Sequence, residues 1–278
     1  MGSILITGAT GYFGQGFVRK LFEGESFKRI CIFSRDEHKQ ALMRESLNDS
    51  RLRFFIGDVR DLDRLKEAMR GIDIVIHAAA LKRIEVGHYN PCEMVKTNVL
   101  GTMNVIEASA YCGVKKVIGL STDKAFQPVS AYGQTKALAE SLFIAANNTH
   151  GSDGPKYSVV RYGNVAGSTG SIIPKWREIL KKSDTVPVTD PDCTRFWMTR
   201  QDAVDLVLNT MATMKGGELI IPELQGFSIG YLALAMGAKM NIVGLPDWEK
   251  HHESMGGWFS NEVRQMSVDD LKISLTDI

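Results

Sequence analysis

Short runs of Ile, Val, Leu and Phe recur along the chain. They are separated by longer stretches in which apolar residues return every three or four positions. The short runs predict strands at residues 4–7, 29–34, 52–57, 73–77, 116–121 and 157–161. They are apolar throughout rather than alternating, as strands covered on both faces must be. The stretches between them predict helices at 13–22, 62–69, 94–110 and 131–146, with His150-Gly151 stopping the last. This alternation predicts an α/β fold, a Rossmann-type doubly wound parallel sheet. After Tyr162 the rhythm changes. Residues 163–170 are loop-like, Pro174 opens a helix running to Lys182, and 200–211 reads as another helix. The expected division is a sheet domain at 1–162 and 196–215, with a smaller interleaved substrate-binding lobe at 163–195 and 216–278.

The 278 residues suffice for one large domain, or for one domain with a smaller lobe. A formal net charge of +1 gives no general attraction to nucleic acid or to an anionic membrane. No apolar run is long enough to span a bilayer, and neither a secretory nor a myristoylation signal is visible. Cys31, Cys92, Cys112 and Cys193 are widely spaced, so neither a zinc site nor a disulfide framework is expected. A reducing cytoplasm is the simplest compartment. His251-His252 lacks a third ligand at suitable spacing, and no metal is expected.

Candidate chemistry begins at once. Gly8, Gly11 and Gly14 follow the first strand within Gly8-Ala9-Thr10-Gly11-Tyr12-Phe13-Gly14. Glycines are needed there for a tight turn, for close approach of a pyrophosphate and for packing of helix on strand. The backbone N–H groups that open the helix then meet the phosphates. The second predicted strand ends in Ser34-Arg35, about 20 residues further on, where an adenosine ribose is read. Ser and Arg favour a 2′-phosphate and hence NADP, while the adjacent Asp36 keeps NAD as the lesser alternative. Asp58 and Val59 end the third strand, within reach of an adenine. Ala78, Ala79 and Ala80 end the fourth, where small side chains admit a dinucleotide. His77, without an evident carboxylate or metal partner, reads as a packing residue.

Tyr132 and Lys136 are four residues apart and share a helix face. A free tyrosine is a poor base at neutral pH, but a nearby ammonium and a cationic nicotinamide stabilise its phenolate. Tyr132 is then suited to take a hydroxyl proton while hydride leaves the same carbon. Thr122-Asp123-Lys124 precedes it by one loop. Once C4 of a sugar is a ketone, its C5 proton is acidic. A neutral Lys124, its pKa lowered by burial, suits that proton. A protonated Asp123, its pKa raised by burial, suits the departing C6 hydroxyl.

Ser121-Thr122-Asp123-Lys124-Ala125, Pro128 and Tyr132-Gly133-x-Thr135-Lys136 together resemble the extended short-chain dehydrogenase/reductases. Within them the likeness is to the soluble UDP-N-acetylglucosamine 4,6-dehydratases that also invert C5. Arg161-Tyr162-Gly163-Asn164-Val165, Gly170-Ser171-Ile172-Ile173-Pro174 and Thr194-Arg195-Phe196-Trp197-Met198-Thr199 extend it, from Ile4 to roughly Glu253. The resemblance implies tightly held, recycled NADP, with Lys82 and Asn98 among its contacts. It implies that Thr122 positions the 4-hydroxyl, Tyr132 deprotonates it with Lys136 beside it, and Asp123 and Lys124 carry elimination and C5 proton exchange. Substrate contacts are implied for Lys82, Asn164, Ile173, Pro174, Arg195 and Glu249. The implied product is a UDP-4-keto-6-deoxy-N-acetyl sugar for surface glycans, made by a homo-oligomer joined through helices such as 94–110 and 131–146.

One departure stands out. The relatives carry Arg-Pro-Gly-Glu-Lys-x-His-Glu, whereas Pro246-Asp247-Trp248-Glu249-Lys250-His251-His252-Glu253 lacks the arginine and leaves the nucleotide contacts there in question. A nucleotide-sugar 4-epimerase, a C5-retaining dehydratase and an NADP-sensing regulator are the competing readings.

Overall fold

A computed structural model describes residues 2–24, 26–151 and 153–278. The strand that opens the chain, β1 (Gly2–Thr7), shows how the sheet is built. Ile4 and Ile6 enter one buried cluster and Leu5 another, because successive strand residues point to opposite faces. The next strands, β2 (Phe27–Ser34), β3 (Leu52–Ile56), β4 (Ile74–His77), β5 (Lys116–Thr122) and β6 (Lys156–Tyr162), run parallel with it. In β2, Ile30 and Ile32 face one layer, while Cys31 and Phe33 face the other. Two covered faces thus explain the unbroken apolar runs.

Two helices cover the first face: α1 (Tyr12–Phe22) through Phe17, Val18 and Leu21, and α9 (Arg200–Thr213) through Val204 and Val207. The second is covered by α3 (Leu62–Met69), α6 (Gly101–Tyr111) and α7 (Ala131–Thr149), which bring Leu65, Ala68, Met69, Val105, Ala108, Phe143 and Ala146. Helix α2 (Glu37–Leu47) closes the β2–β3 side. The short helices α4 (Ile84–Tyr89) and α5 (Pro91–Met94) lead into α6. With β10 (Leu219–Ile220) at one edge, strand order in the large sheet is β10-β6-β5-β4-β1-β2-β3, so it reverses between β1 and β4, the place where open α/β sheets bind ligands.

The smaller lobe uses β7 (Asn164–Val165), β8 (Thr185–Val188), β9 (Thr194–Met198), β11 (Gly226–Ser228) and β12 (Lys239–Ile242), in sheets ordered β11-β9-β7 and β12-β8. With α8 (Ile172–Leu180), α10 (Ile229–Ala235) and α11 (Val268–Thr276) they enclose a third core around Trp176, Trp197, Phe227 and Leu232.

Three expectations shift. The boundary at 216 falls later, because β10 (Leu219–Ile220) pairs with Val159 and Val160 of β6. A sheet edge with unpaired backbone groups is completed by this crossover. Conversely, Phe196–Met198 was expected in the sheet domain, yet β9 lies in the lobe's sheet, between β11 and β7. The single helix expected at 94–110 is instead interrupted by a π-helical turn, Val95–Leu100. It buries Thr97, Asn98 and Val99 in succession, more than one ordinary helix face conceals.

A buried ion pair ties the lobe's C-terminal segment to the large sheet. Arg161 on β6 donates from Nε to Glu140 Oε1 (2.9 Å) and from Nη2 to Glu140 Oε2 (2.5 Å), and its Nη1 donates to the Met255 carbonyl (3.0 Å). Removing one partner strands a buried charge. Glu140→Ala is therefore expected to lower unfolding stability by about 3–5 kcal/mol in urea titrations. A loss under roughly 1 kcal/mol would mean that solvent reaches the guanidinium.

Candidate active site

The C-terminal edges of β1, β2, β4, β5 and β6 and the inner face of the lobe enclose one cleft of about 680 Å³. Its dinucleotide end is shaped by glycine. Gly8 adopts φ +67°, and a Cβ there would stand 2.8 Å from the Ala79 nitrogen. A Cβ on Gly14 would overlap the Ala9 backbone, so that glycine lets α1 close onto the turn. Helix α1 starts at Gly11 without a side-chain cap, unlike α2, α3, α7 and α9, which Asp36, Asp61, Ser130 and Thr199 cap. Its first N–H groups are thus left for a ligand at the positive end of the helix. Gly8, Thr10, Gly11, Tyr12, Phe13, Gly14, Ser34, Arg35, Asp58, Val59, Ala78, Ala79, Ala80 and Lys82 all line this cleft. The residues present therefore fit a dinucleotide.

Within that set the environments differ. Asp36 spends its carboxylate capping α2, accepting from Lys39 N at 3.0 Å and pairing with Lys39 Nζ at 3.2 Å. Arg35 is exposed, and Lys39 also lines the cleft. Asp58 is clamped by Arg60, whose Nε and Nη2 donate at 3.0 and 2.8 Å. Asn98, expected against the cofactor, does not line the cleft. The π-turn faces it inward, where its amide exchanges bonds with Leu81 N (2.8 Å) and O (2.9 Å) and donates to Thr135 Oγ1 (3.1 Å). It fixes the Ala78–Lys82 loop to α7 instead. His77 packs as expected, against Thr7 Oγ1 at 2.9 Å, and burial, helped by the Lys136 charge, holds its pKa down at about 3.

At the other end, a single 3₁₀ turn after β5 carries the reactive set. Thr122 Oγ1 donates to Asp123 Oδ1 at 2.9 Å. Lys124 Nζ donates to the same oxygen at 3.1 Å and to Asn164 Oδ1 at 3.2 Å. Gly133 seats α7 against this turn, since a Cβ there would meet the Lys124 carbonyl. Thr122, Lys124, Tyr132 and Lys136 line the cleft, whereas Asp123 lies behind Thr122, fully buried.

Burial raises the Asp123 pKa, with Lys124 opposing and Glu253 assisting the shift. Lys124 behaves against expectation. Burial disfavours its charge, but the Asp123 and Glu253 carboxylates outweigh burial and hold it firmly protonated. Tyr132 is pushed up to about 12 by burial, against the pull of the Lys124 charge. Lys136 is brought down to about 8 by burial, with Glu140 opposing.

The lobe supplies residues that sequence spacing did not reveal. Glu253, only 2% exposed, places Oε1 3.2 Å from Lys124 Nζ. Lys250 Nζ lies 3.3 Å from its other oxygen and donates to the Phe126 carbonyl at 2.5 Å. Arg195 pairs with Glu249 at 2.6 Å, and both residues line the cleft, as does Asn164. Ile173 and Pro174 do not line it. Ile173 turns into the lobe core beside Trp176, and Gly170, Ser171 and Ile172 form the wall instead. Arg83 lines the cleft too, and the sequence motifs gave no sign of it. Asp190 and Cys193 come within 4.8 Å of His251, companions that spacing alone did not offer. His251 Nε2 is hydrogen-bonded to Asp190 there, at 3.1 Å. Among the described residues no helix is long and apolar enough to cross a membrane.

Residues 4–271 match the family model described as polysaccharide biosynthesis protein. A UDP-N-acetylglucosamine 4,6-dehydratase (inverting) of Campylobacter jejuni is 47% identical over 256 residues, which cover 91% of this chain and 77% of that one. A UDP-glucose 4-epimerase of Rickettsia bellii is 40% identical over 262 residues, with the same shares covered. Among solved structures, Pen from Bacillus thuringiensis superimposes with a TM-score of 0.94 at 32% identity, covering 100% of this chain and 98% of that one.

The depressed Lys136 makes a stability prediction. Its pKa is about 8 when folded and 10.5 when unfolded, so between these values the unfolded chain binds more protons and stability rises with pH. That rise is expected to be about 3 kcal/mol at most, and to vanish in Lys136→Met when the two proteins are compared in urea across the window.

Proposed function

The chain belongs to the polysaccharide biosynthesis protein family, and from that premise we propose that it is a UDP-N-acetylglucosamine 4,6-dehydratase that inverts C5. The observation that carries the reading is the buried Thr122–Asp123–Lys124 turn set against Tyr132 in one cleft with a dinucleotide site. An alcohol oxidation needs only the tyrosine. An acid and a lysine beside it are what an elimination needs.

The sugar lies between the turn and the lobe, its diphosphate toward Arg195 and Asn164, with Glu249 giving up its hold on the guanidinium. Tyr132 takes the proton of the 4-hydroxyl, which Thr122 orients. A nicotinamide dinucleotide held by the Gly8–Gly14 turn would supply hydride exchange with C4 and C6 and a positive ring that lowers the phenol's pKa. With C4 a ketone, Lys124 takes the C5 proton. The C6 hydroxyl departs as water with a proton from Asp123. Thr122 stands between that acid and the cleft, so the relay reverses their hydrogen bond: Thr122 gives its own hydroxyl proton to the departing group as it accepts the one on Asp123. Return of a proton to the opposite face of C5 completes the inversion. The product is a UDP-4-keto-6-deoxy-N-acetyl sugar for surface glycans.

The cofactor is NADP. Ser34, Arg35 and Lys39 line the rim at the end of β2, and Asp36, the carboxylate that would have bound a ribose 2′-hydroxyl, is committed to its helix. We place the reaction in the cytoplasm, where the four free cysteines stay reduced. Leu100, Met103, Tyr111 and Leu138 expose apolar surface on the π-turn, α6 and α7, which supports a homo-oligomer joined there. The residues expected as a substrate-binding lobe, with the edges shifted as described, take the sugar side of the cleft.

Incubation with UDP-N-acetylglucosamine in deuterated water is expected to give a C6 methyl signal and C5 deuteration by proton NMR. A C4 epimer with the 6-hydroxyl intact would select the epimerase reading, which the Rickettsia relative keeps in play. Lys124→Ala is expected to cost on the order of 100-fold or more in product while NADP stays bound, and full turnover would overturn the role of Lys124. Arg35→Ala is expected to weaken NADP about 10- to 100-fold with little effect on NAD, read by fluorescence titration.

A further inference from the structure

The elimination poses a charge problem that Thr122, Asp123 and Lys124 cannot solve alone. Asp123 must hold a proton, yet it lies 3.1 Å from an ammonium that would ionise it. Lys124 must give a proton up, yet it is held as a cation. A second carboxylate is present. Glu253 comes from the lobe's C-terminal segment, lies 3.2 Å from Lys124 Nζ and is almost wholly buried. Its backbone is pinned, with its N–H donating to Ser260 Oγ at 3.0 Å and its carbonyl accepting from Ser260 N at 2.8 Å.

We propose that Glu253 is the counter-ion of Lys124, a positioning residue whose negative charge lets Asp123 keep the proton it must later donate. The inference rests on the dehydratase reading above. The surrounding charges divide consistently. Asp123 faces Lys124, Thr122, Glu253 and Tyr132. Glu253 faces Lys124, Arg195 and Lys250, three cations against one carboxylate. Of two buried acids sharing one ammonium, the one with further cations ionises and the other stays neutral. Asp123 Oδ2 and Glu253 Oε2 both lack a hydrogen-bond partner among the described groups, but Glu253 Oε2 has an ion-pair contact, with Lys250 Nζ at 3.3 Å. The same pairing balances the base step. As Lys124 becomes an amine, one of its N–H bonds breaks and an O–H bond forms on Glu253 Oε1. The amine's lone pair is then free for the C5 proton.

The test uses the holoenzyme. Infrared spectra with isotope-labelled aspartate are expected to show a protonated carboxyl band at neutral pH, removed by Asp123→Asn. Glu253→Gln is expected to abolish that band, since Asp123 becomes the sole counter-ion. With UDP-N-acetylglucosamine, E253Q is expected to reduce its cofactor but to form 6-deoxy product on the order of 100-fold more slowly or worse. Glu253→Asp, which keeps the charge, restores both band and product. The proposal is overturned if wild type shows no such band, if E253Q keeps it, or if E253Q loses cofactor reduction and product together. The wild-type band is read without substrate and needs no variant at Glu253 to fold. A correct band without any 6-deoxy sugar from wild type would sink the dehydratase reading and leave the charge assignment standing.

Discussion

Everything in this molecule depends on the pairing of β1 with β4. Four backbone registers, Ile4 to Ile74 through Thr7 to His77, join strands far apart in the chain and reverse the order of the sheet between them. Crossovers on either side leave in opposite directions, so a crevice opens where the strands end. The Gly8–Gly14 turn, the Ala78–Lys82 loop and the Thr122–Lys124 turn are all strand ends bordering that crevice or one strand removed from it. The cleft sits there because backbone groups and short loops converge there, on strands buried on both faces.

The lobe adds charge to a site the sheet has shaped. One segment, Glu249–Glu253, brings carboxylates to two cleft cations, with Glu249 on Arg195 and Glu253 on Lys124. Arg161 holds the following Met255 carbonyl against the large sheet. Charges that face the Thr122–Lys124 turn thus come from residues more than 100 positions away in sequence. A lysine read locally looks like a base waiting to be neutral. Read in place, it is an ammonium between two acids, because buried opposite charges at hydrogen-bond distance outweigh the desolvation that prevails at Lys136 over the more weakly acting Glu140.

Local regularities were legible in the chain. Unbroken Ile/Val/Leu runs meant doubly covered strands, because period-two side chains must be apolar on both faces. Three glycines after the first such run meant a tight turn against a helix start, because no side chain fits beside Ala79 or Ala9. Tyr132 and Lys136, four apart, had to share a helix face, and the Thr122–Lys124 turn had to follow a strand end. The amino-acid sequence by itself thus determined the sheet, the dinucleotide turn and the identity of the reactive set.

What tertiary structure decided was partnership. Asn98 is turned from the cleft by a π-turn that no periodicity announces, and Ile173 is drawn into a core most of whose members are distant in sequence. Leu219–Ile220 returns to the large sheet because β6 has an open edge, a fact about neighbours rather than about those two residues. Asp36 stood as the lesser candidate beside Arg35, and in the fold its carboxylate is taken up by a helix start. Glu253 was a motif letter until folding buried it against Lys124. Local propensity and spacing act over a few residues, whereas burial and charge pairing depend on what the rest of the chain brings into contact.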